Sequence, residues 1–410
     1  MKKYRFVLIA LFILVSTVVF AHEQWFLTPK QIVLFNSHPR PLIFTQLTIV
    51  NFSIFLFVCL FLYAWVLLGR TGARELFPDL QLRLSSYRNV ASLILRVATA
   101  ATLLMAFFGL NPPEGERYLI SPTFIFPDLE LKFLRGHWEW IQWVELSIAI
   151  GLLFGIYVRL MASILLLISL LGLYLFGYPM LSYIGFLAGI SLYLMLTGPG
   201  MFYVSLPIVT GMKSMTHFLE NHPPGQAQFL LRVLAGLNFT YAGIVYKILQ
   251  PNLAIGLLTM RHLPTFGLTI ETIVLWMAFV ETLSGILLMA GVLIRPMSMA
   301  LIGCFLFLGL ALGEPLYYHT LFLGTLIVCY INGAGQARRL LIKGKSPTIV
   351  ILGASLSGIH SAIKLERLSK NVSNLTIIIV HHENYFQFDP LLAEVISGIV
   401  KPDHTILPSN

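Results

Sequence analysis

The sequence predicts an all-α polytopic membrane protein, with two tandem four-helix units, one or two N-terminal spans and a short C-terminal α/β segment. Three observations lead to this prediction. Apolar residues make up 57% of the 410-residue chain and charged residues only 11%, against about 25% charge in soluble domains. Long apolar runs recur up to residue 333, and one residue pattern occurs twice at a fixed spacing. This composition excludes a soluble globular protein, a disordered chain and a secreted disulfide scaffold.

The N-terminal region contains two apolar runs. The first, from Phe6 to Ala21, follows the basic start MKKYR and ends in Val-Phe-Ala, which is typical of a signal peptide or of a first transmembrane anchor. Residues 1–21 therefore have two interpretations. The second run, Leu47 to Leu68, is long enough to cross a bilayer. Residues 22–87 are thus expected to contain one transmembrane helix.

The distribution of Lys and Arg predicts how the chain is oriented in the lipid bilayer. The net charge is +9, and basic cytoplasmic loops explain this excess more simply than nucleic-acid binding does. With ten spans, or nine if the first segment is removed, fourteen Lys and Arg residues fall on the N-terminal side and six on the other. We therefore expect a multi-pass protein of a bacterial-type inner (plasma) membrane with a cytoplasmic C-terminus.

A six-residue pattern occurs twice and defines repeat A (88–204) and repeat B (226–340). In each copy an Arg inside the first apolar segment is followed 49 residues later by a Glu, then by Gly, Arg and Gly-x-Gly. Each copy has four apolar segments, each predicted to form one helix, so both copies enter the membrane from the same side. The segments are roughly 90–110, 138–156, 160–177 and 181–197 in repeat A and 228–248, 270–292, 296–313 and 317–333 in repeat B. The matched residues are Arg96, Glu145, Gly155, Arg159, Gly198 and Gly200 in the first copy and Arg232, Glu281, Gly291, Arg295, Gly333 and Gly335 in the second.

The repeated charges lie inside apolar segments, where an isolated charge is costly. The sequence therefore predicts two intramembrane ion pairs, Arg96 with Glu145 and Arg232 with Glu281. They have two interpretations, a proton or quinone site and a structural pair that fixes helix packing, and the presence of the same residues in both copies favours the second. The three cysteines lie far apart without neighbouring ligands, so no metal site is expected.

The repeat resembles the DoxX-type membrane family, which includes the small membrane subunit of thiosulfate:quinone oxidoreductase. The resemblance rests on Leu-x-Arg in the first helix, on Glu-x9-Gly-x3-Arg in the second (Glu145–Arg159 and Glu281–Arg295) and on the closing Gly-Pro-Gly at 198–200. It covers roughly residues 90–335 as two tandem units. It implies four-helix bundles and, in some members, association with quinone-linked electron transfer, but no defined set of catalytic residues.

The composition changes from Ser346 onward. The β-branched run TIVIL (348–352) ends at Gly353, an amphipathic stretch follows, and LTIIIV (375–380) is a second apolar run. This order predicts strand, glycine turn, helix and strand, the opening of a Rossmann-like dinucleotide-binding fold. The turn reads Gly353, Ser355 and Gly358 where the fingerprint has three glycines, and His381 stands where an acidic residue would bind ribose.

The segment 383–404, ENYFQFDPLLAEVISGIVKPDH, resembles the region after the second strand in type II NADH dehydrogenases, a family of flavoprotein NADH:quinone oxidoreductases. The resemblance spans about 346–410 and implies the start of a FAD domain. Gly353, Ser355 and Gly358 would then face the pyrophosphate, and His381 would take the place of the ribose-binding acid. The family needs several hundred further residues, so this module is expected to be incomplete here and inactive in this chain alone.

Together these features predict a membrane component of quinone-linked redox metabolism, in which the repeats anchor a flavin-dehydrogenase-like module. FAD and quinone are the expected cofactors, and a cytoplasmic redox chain is the expected partner. One alternative is a non-enzymatic scaffold whose tail docks a cytoplasmic partner. Another is a small-molecule transporter, which the repeat and the buried charges suggest and which broken helices would support.

Overall fold

The computed structural model describes most of the membrane region and parts of the C-terminal segment. The chain divides into two compact units between Arg338 and Arg339, and each unit is described by itself. The predicted first apolar segment, residues 6–21, lies outside the described residues. The described residues are 27–70, 84, 87–110, 122–131, 138–204, 225–262, 265, 267–312, 316–334, 348–352, 356–369, 376–380, 385–387 and 406–408.

Three helices precede the repeats: α1 (Pro29–Ser37), α2 (Leu42–Thr45) and α3 (Ile49–Arg70). A capping box starts α1, because the Thr28 hydroxyl accepts from the Gln31 N–H while the Gln31 side chain accepts from the Thr28 N–H. The long helix α3 corresponds to the second predicted apolar run. Its Phe57 packs edge-on against Trp276, with 5.9 Å between the ring centroids.

Repeat A contains four helices, α4 (Arg88–Phe107), α5 (Trp140–Phe154), α6 (Val158–Phe176) and α7 (Tyr178–Thr197). Their interiors are apolar, and Gly155, Gly177 and Gly198 end α5, α6 and α7 with positive φ angles. Glycine adopts such angles without the steric penalty of a Cβ atom. The tight turns at 155–157 and 177 therefore bring consecutive helices back antiparallel.

Repeat B has the same helix order with an interruption after its first helix. Helix α8 (Gln226–Ala242) continues as a π-helical segment, Gly243–Leu249, and a short helix α9 (Pro251–Met260) follows. The remaining elements are α10 (Ile270–Ala290), α11 (Ile294–Leu312), a 3-10 turn (Leu316–His319) and α12 (Thr320–Asn332).

Five helices among the described residues are long and apolar enough to cross a membrane. Shorter apolar helices accompany them, α5 and α12 included. The prediction of a multi-pass, mainly α-helical membrane protein is therefore confirmed, whereas the number of spans stays a prediction. The five helical stretches are Asn89–Phe107, Val158–Phe176, Tyr178–Thr197, Gln226–Leu249 and Ile270–Ala290.

The two repeats pack reciprocally, because the first helix of each contacts the last helix of the other, α8 against α7 and α4 against α12. A two-fold arrangement of like units produces this pattern. At the α7–α8 contact, the Asn238 amide oxygen accepts from the N–H of Phe186, and its NH2 group donates to the Leu181 carbonyl, both at 3.1 Å. At the α4–α12 contact, the Thr102 and Thr320 hydroxyls are 3.1 Å apart.

An aromatic core joins the two repeats. Phe186 of α7 packs edge-on against Phe322 of α12 and Phe239 of α8, with ring centroids 4.8 and 5.2 Å apart. A buried segment, 122–131, lies between α4 and α5 in sequence, and its Phe126 stacks on Tyr183 at 3.9 Å. Aromatic packing of this kind fixes the register of the helices against each other.

The C-terminal unit contains β1 (Thr348–Leu352), α13 (Leu356–Ser369) and β2 (Thr376–Val380). The two strands pair in parallel, with Thr348 opposite Thr376 and Leu352 opposite Val380. Parallel neighbours require a crossover connection, which α13 supplies. The predicted strand–helix–strand order is therefore present. Two short strands that the sequence did not predict, β3 (Tyr385–Gln387) and β4 (Ile406–Pro408), form a separate antiparallel pair.

Candidate functional site

The arginines of the repeat lie against the C-terminal ends of helices. Arg96 donates five hydrogen bonds of 2.5 to 3.2 Å to backbone carbonyls. Two of these carbonyls, Leu152 and Leu153, belong to the last turn of α5, and the other three follow α7. Carbonyls in a last helical turn have no partner within the helix and carry partial negative charge. Arg96 therefore closes the ends of two helices at once.

Repeat B contains the same arrangement. Arg232 donates to the carbonyls of Leu288 and Met289 at the end of α10, at 2.7 and 2.5 Å, and to Ala334 after α12 at 2.9 Å. Arg159 and Arg295 likewise donate to the carbonyls of Met195 and Tyr330, each at 3.1 Å. We call the end of the bundle that holds these four arginines the arginine end, and the opposite end, with segment 122–131 and α9, the loop end.

These contacts correct the ion pairs that the sequence predicts. Arg96 was expected to pair with Glu145, and Arg232 with Glu281, yet the hydrogen bonds of both guanidinium groups go to backbone carbonyls. The physical reason is geometric. A guanidinium group presents several donors in a planar fork, and two helix ends offer it several unpaired carbonyls. The Arg and Gly residues therefore occur at matching positions in both copies because they terminate the same helices.

The partner of Glu281 is Lys247, with 2.7 Å between Nζ and the nearer carboxylate oxygen, and both side chains are fully buried. Lys247 lies in the π-helical segment that follows α8. Single π-helical turns often occur at functional positions, and this one places an ammonium group beside α10. Lys247 is not among the predicted site residues, although a lysine inside the apolar run 228–248 is rare enough to mark a functional position.

Glu145, the repeat A counterpart of Glu281, has different surroundings. Its side chain is 0% exposed, and neither carboxylate oxygen has a hydrogen-bond partner of good geometry among the described residues. The backbone N–H of Ile125, in segment 122–131, faces the carboxyl group. The described residues of repeat A therefore bury the acid without a lysine like the one that repeat B supplies.

Other polar contacts lie in the loop-end half of the bundle. The Ser182 hydroxyl donates to the Tyr246 oxygen at 2.7 Å, next to Lys247 in sequence. The Tyr183 hydroxyl donates to the carboxylate of Asp128 at 2.8 and 2.9 Å. Carboxyl, ammonium and hydroxyl groups of this kind can bind and exchange protons. Within the described ranges, no group of three or more His, Cys, Asp or Glu side chains could hold a metal ion.

The second candidate site is the turn between β1 and α13. Of the predicted cofactor-binding residues, Gly358 lies in the first turn of α13. Gly353, Ser355 and His381 lie outside the described residues. The N-terminus of α13 follows the carboxyl end of β1, which is where doubly wound α/β folds place a phosphate.

Comparison with known proteins gives no relative that could assign either site. No family model matches the chain, and no curated protein and no solved structure shows significant similarity to it.

Proposed function

We propose that the chain is a membrane component of quinone-linked redox metabolism whose C-terminal unit contributes to a flavin- or nucleotide-binding module on the cytoplasmic side. The observation that carries this proposal is the parallel pairing of β1 and β2 through α13. This topology presents backbone N–H groups of a helix N-terminus to a phosphate group. The resemblance of 346–410 to type II NADH dehydrogenases supports FAD as the ligand. The DoxX-like character of the repeats supports a quinone in the membrane.

The exposed side chains of the two strands support a partner for this unit. Val350, Ile378 and Val380 are 52%, 43% and 49% exposed. Parallel sheets are normally covered on both faces, so the described strands leave apolar surface that a cytoplasmic redox chain would cover. The proposed module is therefore completed by contacts beyond the described residues, and Gly353, Ser355, Gly358 and His381 remain its proposed cofactor-facing positions.

The proposal is tested by flavin content. The full chain is purified in mild detergent from the membrane of its own cells, so that a bound partner chain stays with it, and bound flavin is measured with and without added FAD by visible absorption and acid extraction. We expect Ser355→Asp to lower flavin occupancy at least tenfold, because it places a negative charge beside the pyrophosphate. The matched control, Ser369→Asp at the far end of α13, should leave occupancy unchanged. Absence of bound flavin under both conditions, or equal occupancy in the two variants, would contradict the proposal.

A second candidate function is proton-coupled transport, and the interruption of the first helix of repeat B favours it. The π-helical segment carries Lys247, and α9 starts anew at Pro251. Transporters place binding groups at such discontinuous helices. Proton flux into proteoliposomes that contain a pH-sensitive dye would test this function. Flux that is lost in both Lys247→Met and Glu281→Gln would support it, whereas an equal rate in protein-free vesicles would exclude it.

A further inference from the structure

The two repeats differ in the surroundings of one matched position, the buried Glu. Glu145 and Glu281 are separated by 136 residues, the offset that also relates Arg96 to Arg232. The same offset places Asn111 opposite Lys247. The ammonium group that balances Glu281 at 2.7 Å thus has a neutral amide residue as its counterpart in repeat A. Repeat B contains a balanced pair, whereas among the described residues of repeat A the acid has no cation beside it.

No described cation lies in a position to balance Glu145. The helices packed against α5 are α4 and α6. Their described charged side chains are Arg96 and Arg159, whose guanidinium groups lie on carbonyls at the arginine end. Leu152, which accepts from Arg96, is about 10 Å from Glu145 along the helix at 1.5 Å per residue. The charged residues of segment 122–131 are Asp128 and Glu130, which are acidic.

The backbone donor of Ile125, which faces Glu145, is held in an unusual conformation. Ile125 has a φ of +59°, and a β-branched residue with a positive φ is a steric outlier. Both Ile125 and its neighbour Phe124 are fully buried, so packing of the segment maintains this strained turn. The turn directs a neutral N–H donor to the carboxyl group. A neutral donor can hold a carboxylic acid by its carbonyl oxygen and does not supply a balancing charge.

We propose that Glu145 is an intramembrane proton-binding site, whose carboxyl group carries a bound proton in the folded protein. A buried carboxylate without a cation is strongly disfavoured, and binding a proton neutralises it by forming one O–H bond. Glu281 is ionised, because Lys247 provides the opposite charge. The two repeats have thus diverged into a proton-binding half and a charge-balanced half, whether or not the C-terminal unit binds flavin.

Infrared spectroscopy of the full chain tests this proposal. A protonated carboxylic acid shows a C=O stretch above the amide I band that shifts in D2O. We expect this band at neutral pH in the unmodified protein and in Glu281→Gln, and its loss in Glu145→Gln. Glu145→Asp, which retains an acid, should keep the band at a shifted position. No such band in the unmodified protein, or a band that persists in Glu145→Gln, would overturn the proposal.

Lys247→Met provides the matched positive control. It gives Glu281 the neutral surroundings that Glu145 has, so a second acid band should appear. Failure of that band to appear in the folded variant would also contradict the proposal, because the same charge argument predicts it.

Discussion

At the residue scale, the buried ion pair is the feature most sensitive to substitution. Removing one member of a buried pair leaves the other charge uncompensated, which costs about 3–5 kcal/mol. We therefore expect Glu281→Gln to lower the free energy of unfolding by about 3 kcal/mol, because Lys247 loses the carboxylate 2.7 Å from its Nζ. Thermal unfolding in detergent measures the effect as a lower midpoint.

Glu145→Gln is the matched control for this substitution. It makes the same change at the equivalent position, but no described cation loses a partner there. Its unfolding midpoint should stay close to that of the unmodified protein. Equal destabilisation by the two substitutions would show that the repeats do not differ in charge balance.

Substitutions at Gly155 and Gly291 test how closely the arginines pack against the helix ends. Both glycines follow a helix in the left-handed region, at φ of 72° and 75°, so alanine at either site costs about 1–2 kcal/mol of backbone strain. A Cβ atom at Gly155 would lie 2.6 Å from the Tyr203 Cβ and 2.7 Å from an Arg96 nitrogen. At Gly291 its nearest neighbours, atoms of Arg232, are 3.0 Å away.

We therefore expect Gly155→Ala to destabilise the protein clearly more than Gly291→Ala does. Comparing the two unfolding midpoints isolates the contact, because the backbone strain is the same at both sites. If the two variants unfolded at the same temperature, close packing of Arg96 against Gly155 would not contribute to stability.

At the scale of elements, the sequence predicts the helices well but not their contacts. Apolar length and the spacing of glycines located α4 to α8 and α10 to α12, because helix formation in lipid is set by local composition. Apolar length and glycine spacing do not predict which group each buried Arg or Glu side chain contacts. Arg96 and Glu145 are 49 residues apart, and spacing alone does not distinguish a carboxylate from the free carbonyls of a helix end.

The π-helical segment could also not be predicted from the sequence. Residues 243–249 have the apolar composition of the helix that precedes them, so composition predicts one continuous helix over 228–248. At the start of this segment the backbone packs closely against α10, because a Cβ atom at Gly243 would lie 2.5 Å from the Thr282 hydroxyl. Lys247, four residues further on, reaches Glu281 of the same helix.

The contact between α7 and α8 depends on a small residue. A Cβ atom at Gly185 would overlap the Asn238 amide oxygen and the Leu234 carbonyl oxygen. We expect Gly185→Ala to separate the helices and to destabilise the protein by at least about 2 kcal/mol, the scale of overpacking in a tight core. Unfolding in detergent measures the loss.

Gly303 in α11 is the matched control, because a Cβ atom there would meet nothing within 4 Å. Gly303→Ala should leave stability unchanged or raise it by about 0.5–1 kcal/mol through helix propensity. The prediction fails if Gly185→Ala is as well tolerated as Gly303→Ala.

At the scale of the whole molecule, the two repeats share their helix order and helix-terminating arginines, but their buried ionisable groups differ. The four arginines that terminate helices occur at matching positions in both copies, as do the reciprocal contacts of α4 with α12 and α8 with α7. Such features need the same residue in each copy. The difference lies in the loop-end half, where repeat B has Lys247 and α9 and repeat A has segment 122–131. A difference of this kind at matched buried positions is expected where function, rather than folding, sets the residues.

The arrangement of the ends also predicts the orientation of the protein in the membrane. All four of these arginines lie at one end of the bundle, and cytoplasmic ends are enriched in Lys and Arg. We therefore expect the arginine end to face the cytoplasm and the loop end to face the opposite side. Two residues of similar exposure report on the two ends: Val204 after α7, 47% exposed, and Leu268 before α10, 49% exposed.

Each residue is replaced by cysteine in a background in which Cys59, Cys304 and Cys329 are changed to Ala. In intact cells, a membrane-impermeant maleimide should label Leu268→Cys and leave Val204→Cys unlabelled. After permeabilisation both should react, which controls for accessibility, because the two sites are almost equally exposed. Labelling of Val204→Cys alone in intact cells would show that the protein has the opposite orientation in the membrane. That result would also contradict the proposed function, which requires a cytoplasmic C-terminal unit.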